Sequence, residues 1–192
     1  MPETKRITKT NPYATILDFQ RIFDEDMNSL YLLSLLLTAD REMAEQCFIA
    51  GLEDATKGNP VFKEWARSWA RRMIILNAMR VMSPRPMEGT GGSNSALLNA
   101  LSEEQQPFAA ILELEPFDRF VYVMSVLEHY SDQQCALFLG CGKHDVIIAR
   151  SRALQNTGSA ASRSNVETEV TPHEHSDSET GQLVTPLLSA LA

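Results

Sequence analysis

Tyr130 to Gln155, YSDQQCALFLGCGKHDVIIARSRALQ, reads as two helices broken by a tight turn. Ser131 and Gln134 are spaced as a capping box, in which each side chain satisfies a backbone N–H the helix start leaves open. Cys135, Ala136 and Leu139 then fall on one face of a short helix. Gly140 and Gly142 allow the turn, where a backbone at positive φ is expected. A second helix is predicted to start near His144 or Asp145, with Val146 and Ala149 or Ala153 facing the first. The layout fits a helix-turn-helix, whose second helix enters the DNA major groove, and it also fits an ordinary helical hairpin.

Elsewhere in the chain, helix signals recur and strand signals are nearly absent. No stretch alternates apolar and polar cleanly, and no Asn-Gly or Asp-Gly turn occurs. Pro116 is predicted to open a helix containing Phe120, Met124 and Leu127, and Ser102 with Gln105 forms a second candidate capping box. Upstream, Ile16, Phe19, Ile22 and Phe23 repeat at helical spacing, and Leu30, Leu33, Leu36 and Leu37 continue the stripe. Asp40 is a candidate N-cap for a helix that turns Met43, Ala44, Cys47, Phe48 and Leu52 inward and ends near Gly58-Asn59-Pro60. A further helix from Val61 to Met82 puts Phe62, Trp65, Trp69, Met73 and Leu76 on one stripe.

Two segments break the pattern. Ser83 to Ser95 holds two prolines and three glycines and reads as a flexible linker. Asn156 to Ala192 has no Phe, Tyr or Trp and is rich in Ser, Thr and acids, so disorder is expected. Its end, LVTPLLSALA, is apolar enough to dock as a short segment. The expectation is an all-α chain of two small helical bundles, residues 11–82 and 96–155, joined by a flexible linker at 83–95. A tail follows at 156–192.

Composition sets the outer limits. The chain has 192 residues, 44% hydrophobic and 22% charged, ordinary values for a soluble globular protein. Its apolar runs are far shorter than a membrane span needs, and the basic start MPETKRITKT has no apolar stretch behind it, so no secretory signal is expected. Three scattered cysteines, Cys47, Cys135 and Cys141, suit free thiols in a reducing cytoplasm.

The net charge of −8 conceals strong segregation. Val61 to Arg85 carries six bases, Lys63, Arg67, Arg71, Arg72, Arg80 and Arg85, against the single acid Glu64. Lys143 to Arg163 is also basic, while Ala14 to Pro60 and Ala96 to Asp132 are acidic. Each block thus ends in a basic helix. Two meanings stay open: salt-bridged helix faces, or two nucleic-acid footprints, since phosphate attraction follows local potential.

Catalytic and metal chemistry finds little support. Cys135, Cys141 and His144 lack the closer cysteine spacing and the fourth ligand of a zinc site. His173-Glu174-His175 falls in the expected tail. Gly89, Gly91 and Gly92 have no strand before them, so no phosphate-cradling loop is read there. Asp24, Glu25 and Asp26 are helix neighbours pointing in different directions, a poor acid–base pair. No enzyme, cofactor or metal is expected.

The ordered motifs resemble those of bacterial RNA polymerase sigma factors, specifically the extracytoplasmic-function group of the sigma-70 family. LTADREMAEQ, Leu37 to Gln46, is similar to the family's Leu-Thr-Gly-Asp followed by Ala-Glu-Asp. Phe62, Trp65 and the basic run to Arg72 resemble its Phe-x-x-Trp-Leu helix, part of the domain that melts promoters and binds the −10 element. Ala96 to Gln155, through the stretch Leu114 to Leu154, looks like its C-terminal −35-binding domain, and Arg152 and Ala153 fit its closing Arg-Ala. The resemblance covers most of residues 14–155 and implies a cytoplasmic initiation factor that directs core RNA polymerase to promoter DNA, with an anti-sigma regulator as a further partner. It implies DNA contacts from Lys63, Arg67, Arg71, Arg72 and Arg80, and from Lys143, His144, Arg150, Ser151 and Arg152. It implies polymerase contacts from Glu45, Gln46 and Ile49.

The departures point to an alternative. Gln46 and Ile49 stand where the family carries Asp and Gln, and Arg72 where it carries Asn. The recognition helix reads Asp145, Val146, Ile147, Ile148, Ala149 in place of Thr-Val-Lys-Ser-Arg. Apolar side chains cannot exchange hydrogen bonds with base edges, and at least one of the two isoleucines is expected to pack against protein. The alternative is a sigma-fold interaction module that has lost promoter recognition.

Overall fold

The computed structural model describes residues 11–86 and 108–167, with side chains to Gly158 in the last helix. The described residues are helical, with one isolated antiparallel bridge between Tyr13 and Phe62 and no strand. The chain is all-α in these regions. The elements are α1 (Ile16–Glu25), α2 (Met27–Thr38), α3 (Arg41–Lys57), a 3-10 turn (Lys63–Trp65), α4 (Ala66–Met82), α5 (Ala109–Leu112), α6 (Pro116–Tyr122), a π-helical segment (Val123–Leu127), α7 (Asp132–Leu139) and α8 (Lys143–Glu167).

Local chemistry accounts for most boundaries. Thr15 and Asp18 form a capping box at the start of α1, and Ser131 and Gln134 form the expected one at α7. Asp40 caps α3, its carboxylate accepting from the Met43 N–H at 2.8 Å. Pro116 is the first residue of α6, where its missing N–H costs nothing. Gly140 ends α7 at φ 63° in the left-handed region. Ala39 ends α2 in the same region at φ 51°, an uncommon place for a residue with a Cβ.

The first block packs α2, α3 and α4 around Leu30, Leu33, Leu36, Leu37, Cys47, Met73, Ile74 and Ile75, all buried, with α1 adding Phe19, Ile22 and Phe23. α3 and α4 approach closely at Gly51, where an added Cβ would lie 2.8 Å from Cγ1 of Ile74. The second block packs α6 against α8 and α7 against α8, burying Phe117, Phe120, Val121, Met124, Cys135, Val146, Ala149 and Ala153. The two blocks are in contact: α2 packs against α6 and the π-helical segment. The linker's composition leads to an expectation of independent bundles, whereas the structure has one cluster of buried side chains that includes residues from both.

Several expectations need correction. The stripe placing Phe62 and Trp65 inside a helix fails, because the 3-10 turn precedes α4 and leaves Phe62 39% and Trp65 58% exposed. The chain enters this turn paired to the N-terminal segment, Ala14 N–H donating to the Val61 carbonyl at 2.7 Å. Ile16 and Met43 are likewise exposed rather than inward. The last helix runs to Glu167, past the Gln155 boundary, so residues 156–167 are helical. The candidate capping box at Ser102 and Gln105, most of the 83–95 linker, the His173-Glu174-His175 triplet and LVTPLLSALA lie outside the described residues.

Candidate nucleic-acid interface

The basic side chains of α4 and its preceding turn line up with acids. Lys63 Nζ lies 3.5 Å from Asp18. Arg67 pairs with both Glu25, at 2.5 Å, and Asp26. Arg80 donates to Asp54 at 2.7 Å, and Asn77 donates to the same carboxylate at 3.1 Å. These bonds raise the pKa of Arg67 and hold Asp54 below its ordinary value. Arg67 and Arg80 remain more than half exposed, so water screens these pairs and leaves the guanidinium heads open to exchange partners.

Arg71 and Arg72 reach the other block. Arg71 Nε donates to Glu128 at 2.6 Å, a second donor reaches the other carboxylate oxygen, and Nη1 donates to Ser29 Oγ at 3.0 Å. The Glu128 side chain is only 8% exposed. Its hydrogen bonds raise the Arg71 pKa, outweighing the opposing effect of burial. The Arg72 guanidinium lies 4.5 Å from the Phe138 ring centroid, within cation–π range.

In the C-terminal unit, Arg152 grips Asp118 of α6 through two bonds, 2.9 and 2.6 Å, and Asp118 is buried. Arg150 pairs with Asp132 of α7. Both arginines thereby clamp α8 to its neighbours. Ser151 Oγ donates to the Ile147 carbonyl at 2.9 Å. Lys143 and His144 stand exposed at the start of α8, with no acid paired to them among the described residues. Ile147 and Ile148 are 39% and 41% exposed, so neither is buried by this chain's described residues. Glu45, Gln46 and Ile49 share an exposed face of α3.

An aromatic group flanks the basic helix. Tyr13 stacks on Phe62 with centroids 4.9 Å apart, and Phe62 meets Trp65 edge-on at 5.4 Å. All three are exposed. Stacking onto an unpaired base requires aromatic surface of this sort beside cationic side chains.

Arg119 is the residue that sequence reasoning missed. It lies in the acidic stretch Ala96 to Asp132, where its sequence surroundings give it no partner, yet it is 2% exposed and donates to four carbonyls. Leu37 and Thr38 supply two of them, at 3.3 Å each, from the end of α2. Leu112 and Leu114 supply the others, at 3.3 and 2.9 Å. Burial pushes its guanidinium down to about 10, with Glu115 acting against it, and it stays charged at neutral pH. The flanking PFDRFVYVM, with its arginine amid aromatic and branched residues, is the only sequence signal for this burial.

Among the described residues, no group of three or more His, Cys, Asp or Glu side chains gathers to hold a metal ion. The three cysteines are free, and burial raises the pKa of each, that of Cys135 to about 11. No described helix is long and apolar enough to cross a membrane. No protein-family model, curated protein or solved structure matches the chain.

Proposed function

We propose that the chain is a sigma-like transcription initiation factor that binds core RNA polymerase and directs it to promoter DNA, without catalysis of its own. The observation that carries this reading is Ala39. It occupies the glycine position of the Leu-Thr-Gly-Asp motif that Leu37 to Asp40 resembles, and it adopts the left-handed backbone that favours glycine. A backbone that favours glycine thus stands where the motif has its glycine, which supports the resemblance.

Two further features agree. The α7–Gly140–α8 unit has the capping box, left-handed turn and buried Val146, Ala149 and Ala153 of a helix-turn-helix, in a C-terminal unit that would meet the −35 duplex. The Tyr13, Phe62 and Trp65 group beside Lys63 and Arg67 suits a single-stranded −10 element, bases stacking while cations neutralise phosphates. Glu45, Gln46 and Ile49 offer an exposed face for the polymerase.

A second reading has its own support. Arg150 and Arg152 are engaged within the unit, and two exposed isoleucines occupy the DNA-reading positions. An interaction module that binds polymerase or a regulator without reading DNA fits those facts. Reconstituted transcription decides. Purified protein with core polymerase should initiate from particular genomic promoters; polymerase binding without initiation from any of them favours the interaction module.

A further inference from the structure

We propose that the contact between the two blocks is an autoinhibitory latch, in which Glu128 and Phe138 withhold Arg71 and Arg72 of α4 from nucleic acid until the blocks part. This rests on the reading of α4 as a nucleic-acid-binding helix.

The chemistry of the contact favours release. Arg71 meets Glu128 through a two-pronged guanidinium–carboxylate pair, the arrangement in which a guanidinium also meets a phosphate. A phosphate therefore competes with Glu128 for the same donors and cannot share them. Arg72 presents its guanidinium to Phe138, and Phe138 is in turn braced edge-on by Tyr130 at 5.5 Å. A third polar tie joins the blocks: Arg119 holds the Leu37 and Thr38 carbonyls. These acceptors end α2, where unpaired carbonyls concentrate partial negative charge, so the cation needs no carboxylate to hold it there. The Arg71–Glu128 pair is partly exposed, so water or a polyanion can take over its donors, while the buried cluster that includes residues from both blocks sets the cost of parting them. A binding-competent state populated to a small fraction weakens apparent affinity by that fraction. Breaking the latch consequently raises affinity even if the bound complex itself is unchanged.

The test uses full-length protein and a fluorescein-labelled single-stranded oligothymidylate, read by anisotropy over a salt series. Glu128→Gln removes the acceptor charge, and Phe138→Ala frees Arg72 without changing charge. Each is expected to bind about tenfold more tightly than wild type, because the competent fraction rises. The log–log salt slope of Glu128→Gln should stay close to that of wild type, because Arg71 neutralises the same phosphate in both bound complexes. Glu113→Gln, an exposed acid, serves as the control for lost charge and should stay close to wild type. Adding Arg71→Ala to Glu128→Gln should cancel the tighter binding. Small-angle scattering reports whether the blocks part, and circular dichroism reports whether the helices persist. If wild type and both variants bind equally, and all need Arg71, the reading of α4 stands and the latch is wrong. If the variants open and still do not bind, α4 is not a nucleic-acid helix and both ideas fall. If neither variant opens or binds more tightly, the latch is overturned.

Discussion

Arg119 turns a single side chain into a four-way tie between α2 and the start of the second block. Replacing it with Met keeps much of the volume but strips donors from four carbonyls. Arg119→Met is expected to cost roughly 3 kcal/mol, the scale for leaving buried polar groups without a partner, measured as a lower urea midpoint. Ala39 tests the opposite sense. Glycine there relieves a left-handed strain of about 1–2 kcal/mol while giving up one buried methyl, about 0.8 kcal/mol. Ala39→Gly should therefore be neutral or stabilising by up to about 1 kcal/mol, checked by the same titration. Neither role is legible in the sequence. Arg119 depends on carbonyls contributed by residues distant in the chain, and nothing local marks Ala39 as left-handed except the resemblance to a glycine-bearing motif.

Helix boundaries, by contrast, are legible because caps are local. Asp40, Ser131, Pro116 and Gly140 each act within a few residues of themselves, and each stands where its chemistry places it. The stripe through Phe62 and Trp65 misleads because it extends helical spacing across a turn held by pairing with residues 12–14. Two glycines separate local from tertiary causes. At Gly140 an added Cβ meets nothing within 4 Å, so Gly140→Ala should cost only the left-handed backbone, about 1–2 kcal/mol. At Gly51 the Cβ meets buried Ile74, so Gly51→Ala must push α3 from α4. It should cost about 1–3 kcal/mol despite better helix propensity. Thermal melts of both variants check the pair, and a stabilised Gly51→Ala would show that the α3–α4 contact yields easily.

Across the whole molecule, the all-α class and the order of helices follow from periodicity, while the contact between blocks does not. Charge segregation hints at that contact without its geometry: the basic α4 faces acids in both blocks, Glu25, Asp26 and Asp54 in its own and Glu128 in the other. The segment between 87 and 107 is outside the described residues, yet the contact predicts the behaviour of a chain cut there. The two fragments should co-elute on gel filtration at low salt and separate as ionic strength rises, since the Arg71–Glu128 pair is partly exposed to screening. Fragments that elute apart at every salt concentration would restore the picture of two independent bundles.

The π-helical segment from Val123 to Leu127 gives this molecule a place where its length can change by one residue. Its wider winding is seen in the Glu128 N–H, which donates to the Val123 carbonyl five residues back at 2.9 Å. A π turn accommodates one residue more than α-helical winding would. Losing one codon here would restore regular α-helical winding, with helix content preserved. Glu128 would then stand four residues after Val123 and keep the hydrogen bond it already makes, so the chain beyond it would hold its direction relative to α6. Glu128 would still meet Arg71. Deleting Ser125 should accordingly retain the energetic coupling between positions 71 and 128 in a double-mutant cycle, at about the 0.5–3 kcal/mol expected of the intact chain. Related sequences would thus keep the bond between the blocks through a change in length at this one turn.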